Sequence, residues 1–378
     1  MGIISNFFPT NDNKDIKNSS LNKMNIKEYN YNSFHKEKIS LLYILKDGRL
    51  ASSSEDQKLN IYNENIKSID LSIKHKYPIS SFLQLNDEKI IICSSKNSNM
   101  TIIKLKNKNQ YEIIQEINMG DMGVQVDFKI RESKDNELIA IYNGRIIRNQ
   151  ITIWKLNKNN KYELIMHIKA DLGGRLFGIL KLNEKEFVVL QNERIMTTHP
   201  FIHREQLVFR SLKNYKIIKV INNLEINHND RYFKFFENMY LISKDIFSVW
   251  EKYGIIKLIK ISTHEIIKQI NISIGDAFKI IFYSFNKFSE DKMIVFASLA
   301  VKKREDPPNR RNPDTHYSYK NYIFLHKINE NGIKEILKYE YDDNEKICKI
   351  GTKYKNNFIA TCQDNNLKII EINDKYTS

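Results

Sequence analysis

The chain repeats one pattern of apolar and polar positions, and residues 35–63 show it most clearly. An apolar run at 39–45 is followed by Asp47-Gly48, whose glycine supplies the positive φ of a tight hairpin turn. A second run at 50–54 ends at a polar turn, and residues 58–62 then alternate between polar and apolar. Alternation with a period of two indicates a strand with one buried face. Three short strands cannot close a core alone, so this unit requires neighbours.

The same pattern recurs to the end of the chain. Residues 69–73 supply a fourth strand to the first set, and five further sets of four candidate strands follow. They lie at 79–85, 90–95, 100–105 and 111–119; at 126–130, 138–142, 151–154 and 164–168; at 176–182, 187–190, 207–209 and 217–221; at 232–236, 240–243, 255–261 and 266–272; and at 280–285, 293–300, 322–325 and 333–339. The last repeat, 347–372, stops after three strands. The recurrence predicts a fold built from similar small sheets.

The first repeat contains a recognisable set of residues. His35 opens it, a Ser-Ser-x-Asp turn ends at Asp56, and an alternating strand ends at Tyr62. With these residues it resembles a WD-repeat, the four-stranded blade of a β-propeller. The resemblance implies a buried hydrogen-bond relay of His35, Ser54, Asp56 and Tyr62, although Tyr62 stands for the usual Trp and Asn63 for the closing Asp. The expected fold is all-β: a seven-bladed β-propeller of four-stranded antiparallel blades.

The two ends of the repeat region complement each other. In WD-repeat proteins an N-terminal strand usually completes the last blade. Residues 24–31 form a spare candidate strand before the first repeat, and the last repeat lacks one strand. We therefore expect 24–31 to close the ring. The expected organisation is a flexible tail at 1–20 followed by a single propeller at 21–378.

The chain is basic, with 60 Lys and Arg against 45 Asp and Glu, a formal net charge of +15. Such a charge favours acidic partners, including nucleic acid, anionic lipid and acidic proteins. The basic residues are spread along the whole chain, however, so a background composition bias is the better explanation.

Three features bear on the compartment. Cys93, Cys348 and Cys362 lack metal-ligand spacing and are too few for a disulfide framework, which indicates a reducing environment. No segment matches a secretory signal or a membrane span. Asn6 occupies the position where myristoylation of Gly2 would require Ser or Thr. We expect a cytoplasmic protein without a transmembrane segment.

Four connections between second and third strands are expected to be long: 143–150, 191–206, 244–254 and 301–321. In a propeller they emerge on one face. They are rich in arginine and aromatic residues, which anchor protein interfaces. The residues expected to bind a partner are Arg145, Arg148, Arg194, His199, Phe201, His203, Arg204, Trp250, Lys302, Lys303, Arg304, Arg310, Arg311, Tyr317 and Tyr319. The alternative is that these loops are tolerated expansions without a partner.

Signals for chemistry are weak. His199 and His203 are four residues apart, a spacing that could place two metal ligands on one helix face, but no third ligand accompanies them. No G-x-S-x-G, H-E-x-x-H or Walker sequence occurs. We expect no cofactor, no metal and no catalysis, although a site assembled from several blades would leave no local motif. The predicted function is a scaffold that binds other proteins in a complex, with docking on anionic membrane lipid, nucleic acid or another polyanion as the alternative.

Overall fold

A computed structural model of the chain describes residues 26–32, 34–63, 66–85, 88–94, 99–118, 127–134, 136–143, 150–169, 176–195, 202–224, 239–251, 255–271, 279–287, 292–302, 317–329, 332–341, 351–354, 358–363 and 365–372. Within these ranges every regular element is a β-strand, and none is a helix that could cross a membrane. The 28 strands form seven four-stranded antiparallel sheets, each of which is one blade. The predicted all-β, seven-bladed propeller is confirmed.

The blades follow one another along the chain, and the strands within each blade are adjacent in chain order. Blade one has β2 (Ile39–Ile44), β3 (Leu50–Ser54), β4 (Lys58–Tyr62) and β5 (Ile69–Lys74); blade two has β6 (Ser81–Gln84), β7 (Lys89–Cys93), β8 (Asn99–Asn107) and β9 (Gln110–Asn118); blade three has β10 (Asp127–Lys134), β11 (Glu137–Asn143), β12 (Gln150–Leu156) and β13 (Tyr162–Lys169). Blade four has β14 (Leu176–Lys181), β15 (Glu186–Ile195), β16 (Ile202–Ser211) and β17 (Ile217–Leu224); blade five has β18 (Met239–Leu241), β19 (Ile246–Trp250), β20 (Ile255–Lys260) and β21 (Glu265–Asn271); blade six has β22 (Lys279–Lys287), β23 (Lys292–Lys302), β24 (Tyr317–Asn329) and β25 (Gly332–Tyr341).

Blade seven joins the two ends of the chain. Its strands are β26 (Gly351–Tyr354), β27 (Phe358–Gln363), β28 (Asn366–Ile372) and, on the outside, β1 (Ile26–Asn32). β1 pairs antiparallel with β28 from Ile26 opposite Ile372 to Asn32 opposite Asn366. The predicted closure of the ring by an N-terminal strand is confirmed.

The core lies between blades rather than within any one of them. In six pairs of neighbouring blades the first strands contact one another, so the first strands surround the centre and the fourth strands form the outer wall. On β7, Ile90 and Ile92 pack with blade one, whereas Ile91 and Cys93 pack with blade three. Because successive side chains of a strand point to opposite faces, an inner strand buried on both faces favours apolar residues at most positions. This explains the apolar runs in β7, β11 and β15, whereas β3 and β19 also bury serine side chains.

Blade five corrects one predicted set of strands. The sequence pattern placed its second strand at 240–243 and a loop at 244–254, but β18 (Met239–Leu241) is the first strand and β19 (Ile246–Trp250) the second. Every residue of β19 is buried. The proposed first strand, 232–236, lies outside the described residues. The prediction was wrong because an aromatic run before the blade was counted as one of its strands.

Two other predicted loops begin and end in strand. β15 and β16 continue to pair from Gln191 opposite Gln206 to Ile195 opposite Ile202. β23 and β24 pair out to Lys302 opposite Tyr317. The polar residues in these segments were interpreted as loop, yet antiparallel strands that extend beyond the core can be polar on both faces because no neighbouring blade covers them.

Candidate functional site

The relay predicted in blade one exists, but with a different serine. His35 Nε2 lies 2.7 Å from Ser52 Oγ, and Ser52 Oγ lies 2.8 Å from the Tyr62 hydroxyl. On its other side, His35 Nδ1 lies 3.1 Å from both carboxylate oxygens of Asp56. Ser54 instead donates to Glu37 O and accepts from the Asp56 N–H.

The position of Ser54 explains this correction. It is the last residue of β3 and lies beside the turn, where backbone groups engage its hydroxyl. Ser52 lies two residues earlier on the same side of the strand, at the depth where the rings of His35 and Tyr62 meet. Sequence spacing alone cannot distinguish two serines that share a face.

The protonation states of the relay follow from burial. Burial lowers the pKa of His35, outweighing the opposite effect of the Asp56 charge. Partial burial would raise the pKa of Asp56, but hydrogen bonds from Lys36 N–H, His35 and Lys58 N–H lower it overall. The neutral His35 therefore donates its Nδ1 proton to the carboxylate and accepts from Ser52 O–H, which itself accepts from Tyr62 O–H. These groups are mutually satisfied and buried, so the relay is structural.

A second set of polar contacts joins neighbouring blades. In four successive blade pairs, a charged residue at or just before the start of the second strand reaches the turn between the third and fourth strands of the next blade. The contacts are Arg49 Nη1 to Lys108 O at 3.1 Å, Lys89 Nζ to Asn160 Oδ1 at 3.1 Å, Tyr215 Oη to Glu137 Oε1 at 2.8 Å, and His264 Nε2 to Glu186 Oε2 at 2.6 Å. We call these contacts the inter-blade latches.

The latches all lie at one end of the ring, which we call the turn face because the connections between strands one and two and between strands three and four lie there. Arg49, Lys89, Glu137 and Glu186 are all buried. Removing the partner of a buried charged group is costly, so each latch holds two blades in one relative position. The sequence does contain a signal for the latches, a charged residue at the start of an apolar second strand. The sequence analysis did not identify it, because it compared only the apolar positions of the repeats.

The opposite end, the loop face, is uneven. The second and third strands have five residues each in blade one, and five and six in blade five. In blade four both have ten residues, and in blade six they have eleven and thirteen. The carbonyls of Glu186 and Ile246 accept equivalent turn hydrogen bonds, so β15 and β19 begin level on the turn face. At a rise of about 3.3 Å per residue, β15 and β16 extend about 15 Å beyond blade five.

The loop face therefore carries two tall hairpins, β15–β16 and β23–β24, on either side of the low blade five. Arg194, His203, Arg204, Lys302, Tyr317 and Tyr319 are strand residues of these hairpins, with Arg194 opposite His203 and Lys302 opposite Tyr317. Eight other predicted partner-binding residues lie outside the described residues: Arg145, Arg148, His199, Phe201, Lys303, Arg304, Arg310 and Arg311.

Trp250 does not belong to this set. It ends β19 with 3% of its surface exposed, and its indole N–H donates to Ser248 Oγ at 3.1 Å. Its side chain packs in the core between blades five and six. Its assignment to a partner-binding loop was wrong because blade five was divided incorrectly.

The outer wall is the second uneven surface. Among the described residues, the large exposed apolar side chains lie on fourth strands, on β1 (Tyr29) or just after it (Phe34). On the fourth strands they are Ile113, Leu164, Ile165, Met166, Ile217, Ile218, Ile266 and Ile267. The sequence signal for them is a pair of adjacent apolar residues in a strand that has one solvent-facing side. The loop prediction missed these residues because it considered connections only.

The described residues contain no group of three His, Cys, Asp or Glu side chains that could hold a metal ion. His203 is a strand residue and His199 lies outside the described ranges. The two surface features that distinguish this ring are the hairpins of the loop face and the exposed apolar side chains of the outer wall.

Comparisons with known proteins bear on the fold. No protein-family model matches the chain, and a search of curated proteins finds no significant match. A search of solved structures finds the WD40 β-propeller domain of Doa1, which superposes with a TM-score of 0.57 at 13% sequence identity. The match covers 91% of this chain and 96% of that one. The likeness shows that this chain has the WD40 β-propeller fold.

Proposed function

We propose that this protein is a non-catalytic interaction platform that binds a partner protein on its loop face, between the hairpins β15–β16 and β23–β24. The observation that carries the proposal is the height of these two hairpins beside the low blade five. A partner seated there contacts three blades at once and gains a large contact area.

The rest of the ring supports this role. The relay of blade one and the inter-blade latches hold buried polar groups in fixed positions, and six described core clusters each join two neighbouring blades. Binding elements carried by a rigid scaffold lose little conformational entropy when a partner docks. We also propose a cytoplasmic location, because Cys93 and Cys362 are buried free thiols.

Shortening each hairpin tests the proposal. Residues 194–203 are replaced by Asn-Gly after the pair Glu193–Arg204, and residues 302–317 by Asn-Gly after the pair Val301–Ser318. A two-residue turn closes each hairpin without changing its register. The matched control is Lys213→Ala with Lys216→Ala, two exposed residues on the turn face of blade four.

We expect partners captured by the intact chain, quantified by mass spectrometry, to fall about tenfold with either shortened variant and to stay unchanged with the control. The thermal unfolding of all variants should match the parent, because surface segments of this kind add little to stability. Equal capture by the parent and both shortened variants would contradict the proposal.

A second candidate function is docking on a polyanion such as an anionic membrane. It is favoured by residues 302–320, which hold six Lys and Arg against three Asp and Glu in a chain of net charge +15. The probe is a vesicle preparation with about 30 mol% phosphatidylserine, which gives a strongly anionic surface. Binding that falls steeply with salt and is lost with 302–317 would support this function, whereas salt-insensitive partner capture supports the first.

A further inference from the structure

The outer edges of six blades share a feature that affects what they can bind. In every blade from one to six, the pairing between the third and fourth strands shifts by one residue at least once, leaving a residue of the fourth strand as a β-bulge. The bulged residues of the fourth strands are Asp70, Ile114, Ile165, Ile218, Asn223, Ile267 and Ile336. A bulge bends and twists an edge strand, and this discourages the addition of another strand.

Blade seven differs. Its outer strand β1 pairs with β28 at seven consecutive positions without any shift. β1 is the terminal strand of its sheet in the part of the chain that the structure describes. An unbulged edge strand presents evenly spaced N–H and C=O groups that can pair with an extended peptide. The six other edges carry a device against strand addition, and this edge does not.

The side chains of β1 indicate what an added strand would meet. Lys27 and Tyr29 are exposed, and Tyr29 retains 39% of its surface. Tyr31 is half-buried against the core cluster between blades seven and one. Residues two apart share one face of a strand, so these three side chains lie on the face that looks toward blade one. Tyrosine combines a large apolar ring with a donor, which suits an interface anchor.

Among the side chains that the structure describes near this edge, the exposed charged groups are lysines. Lys27 is exposed, and so are Lys67 and Lys74 at the two ends of β5, the outer strand of the adjacent blade one. Two of the nearby acids are engaged: Glu371 accepts from the Tyr29 hydroxyl at 2.9 Å, and Asp70 pairs with Arg49 at 3.4 Å. An added segment with carboxylates is therefore complementary to this edge.

We propose that the outer edge of β1 binds an extended, acidic segment of a partner protein, which becomes the fifth strand of blade seven. Apolar side chains of that segment cover Tyr29 and Tyr31, and a carboxylate lies beside Lys27. This site is on the outer wall and is separate from the hairpins of the loop face. The proposal can therefore be tested independently of the proposed function.

The probe is a phage-displayed library of random twelve-residue peptides, selected on the full chain. Selected peptides are then synthesised with a fluorophore, and their affinity is measured by fluorescence anisotropy. The variants are Tyr29→Ala and Lys27→Glu in β1. The matched control is Lys219→Glu, which reverses an exposed charge on the bulged outer strand β17.

We expect selected peptides to be rich in Asp, Glu and β-branched residues, and to lose about tenfold in affinity with each β1 variant but not with the control. Proline substitution at Asn30 and at Tyr31 adds a backbone test. Adjacent residues of an edge strand direct their N–H groups to opposite sides of the strand. One of the two proline variants therefore loses a backbone hydrogen bond to β28 and should unfold at a lower temperature. The other should keep the unfolding temperature of the parent but lose affinity for the selected peptides.

Three results would overturn the proposal. One is the failure of selection to yield peptides whose binding depends on β1. Another is a dimer in light scattering that Tyr29→Ala dissociates, because a second copy of the chain would then occupy the edge. The third is a synthetic peptide of residues 1–24 that binds the edge more tightly than the selected peptides and displaces them. That result would assign the edge to the chain's own N-terminal segment.

Discussion

Replacing Ser52 by alanine should destabilise the propeller far more than the same change at Ser54. Ser52 Oγ is fully buried and serves two partners, His35 Nε2 at 2.7 Å and the Tyr62 hydroxyl at 2.8 Å. The variant leaves both buried groups without this hydrogen bond, at about 1–3 kcal/mol each, so we expect a loss of about 3–4 kcal/mol in the free energy of unfolding. Ser54→Ala removes bonds to backbone groups beside a turn, and we expect a loss of about 1 kcal/mol.

Urea denaturation followed by tryptophan fluorescence and far-UV circular dichroism measures both variants, with the slope m checked for equality. Tyr62→Phe alone removes one partner of Ser52. Adding it to Ser52→Ala should cost less than the sum of the single changes, because the Tyr62 hydroxyl that loses its bond to Ser52 in the single variant is then gone. An equal or larger loss from Ser54→Ala than from Ser52→Ala would refute the assignment of the relay.

Three further predictions concern stability. Burial lowers the pKa of His326 to about 4, and its Nδ1 has no hydrogen-bond partner among the residues described. In the unfolded chain this histidine has a pKa of about 6.5, so the unfolded state binds the proton first as pH falls. The free energy of unfolding should therefore drop by about 3 kcal/mol between pH 6.5 and 4, relative to the His326→Leu variant. Tyr215→Phe removes the donor that reaches the buried Glu137 carboxylate at 2.8 Å and should cost about 1–3 kcal/mol in urea denaturation. Deleting residues 1–32 removes β1, exposes the edge of β28 and should lower the thermal unfolding temperature of the whole ring.

Each of these has a clear contrary outcome. Parallel pH profiles for the parent and His326→Leu would show that the histidine is not the source of acid sensitivity. A Tyr215→Phe variant as stable as the parent would mean that the latch contributes no stability. Deleting only residues 1–24, which leaves β1 in place, is the control for the truncation, and equal melting of the two truncated chains would contradict closure by β1.

Much of the fold could be predicted from the sequence because burial on two faces leaves a distinctive pattern. Residues 89–93 are apolar or have an apolar stem at every position, since the strand packs against blades one and three at once. The same pattern located most strands to within a few residues. It failed in blade five, where residues 232–236 were counted as the first strand and the true second strand β19 was assigned to a loop.

The candidate site was less predictable. In blades four and six the described ends of two predicted segments lie on the loop face, but the pairing of Arg194 with His203 and of Lys302 with Tyr317 shows hairpin strands where loops were expected. Strand length beyond the core depends on cross-strand pairing, which single-sequence patterns do not report. The bulges are likewise invisible without register, because one extra residue in a strand leaves composition unchanged.

The sequence by itself determined the number of sheets, their order and the joining of the two chain ends, because each follows from local periodicity and from one missing strand. Only the tertiary structure decided that Ser52 rather than Ser54 completes the relay, that charged residues latch one blade to the next, and that β1 alone among the described outer strands is unbulged. Those features depend on distances between segments far apart in the chain, and these distances are set only when all seven blades pack around one centre.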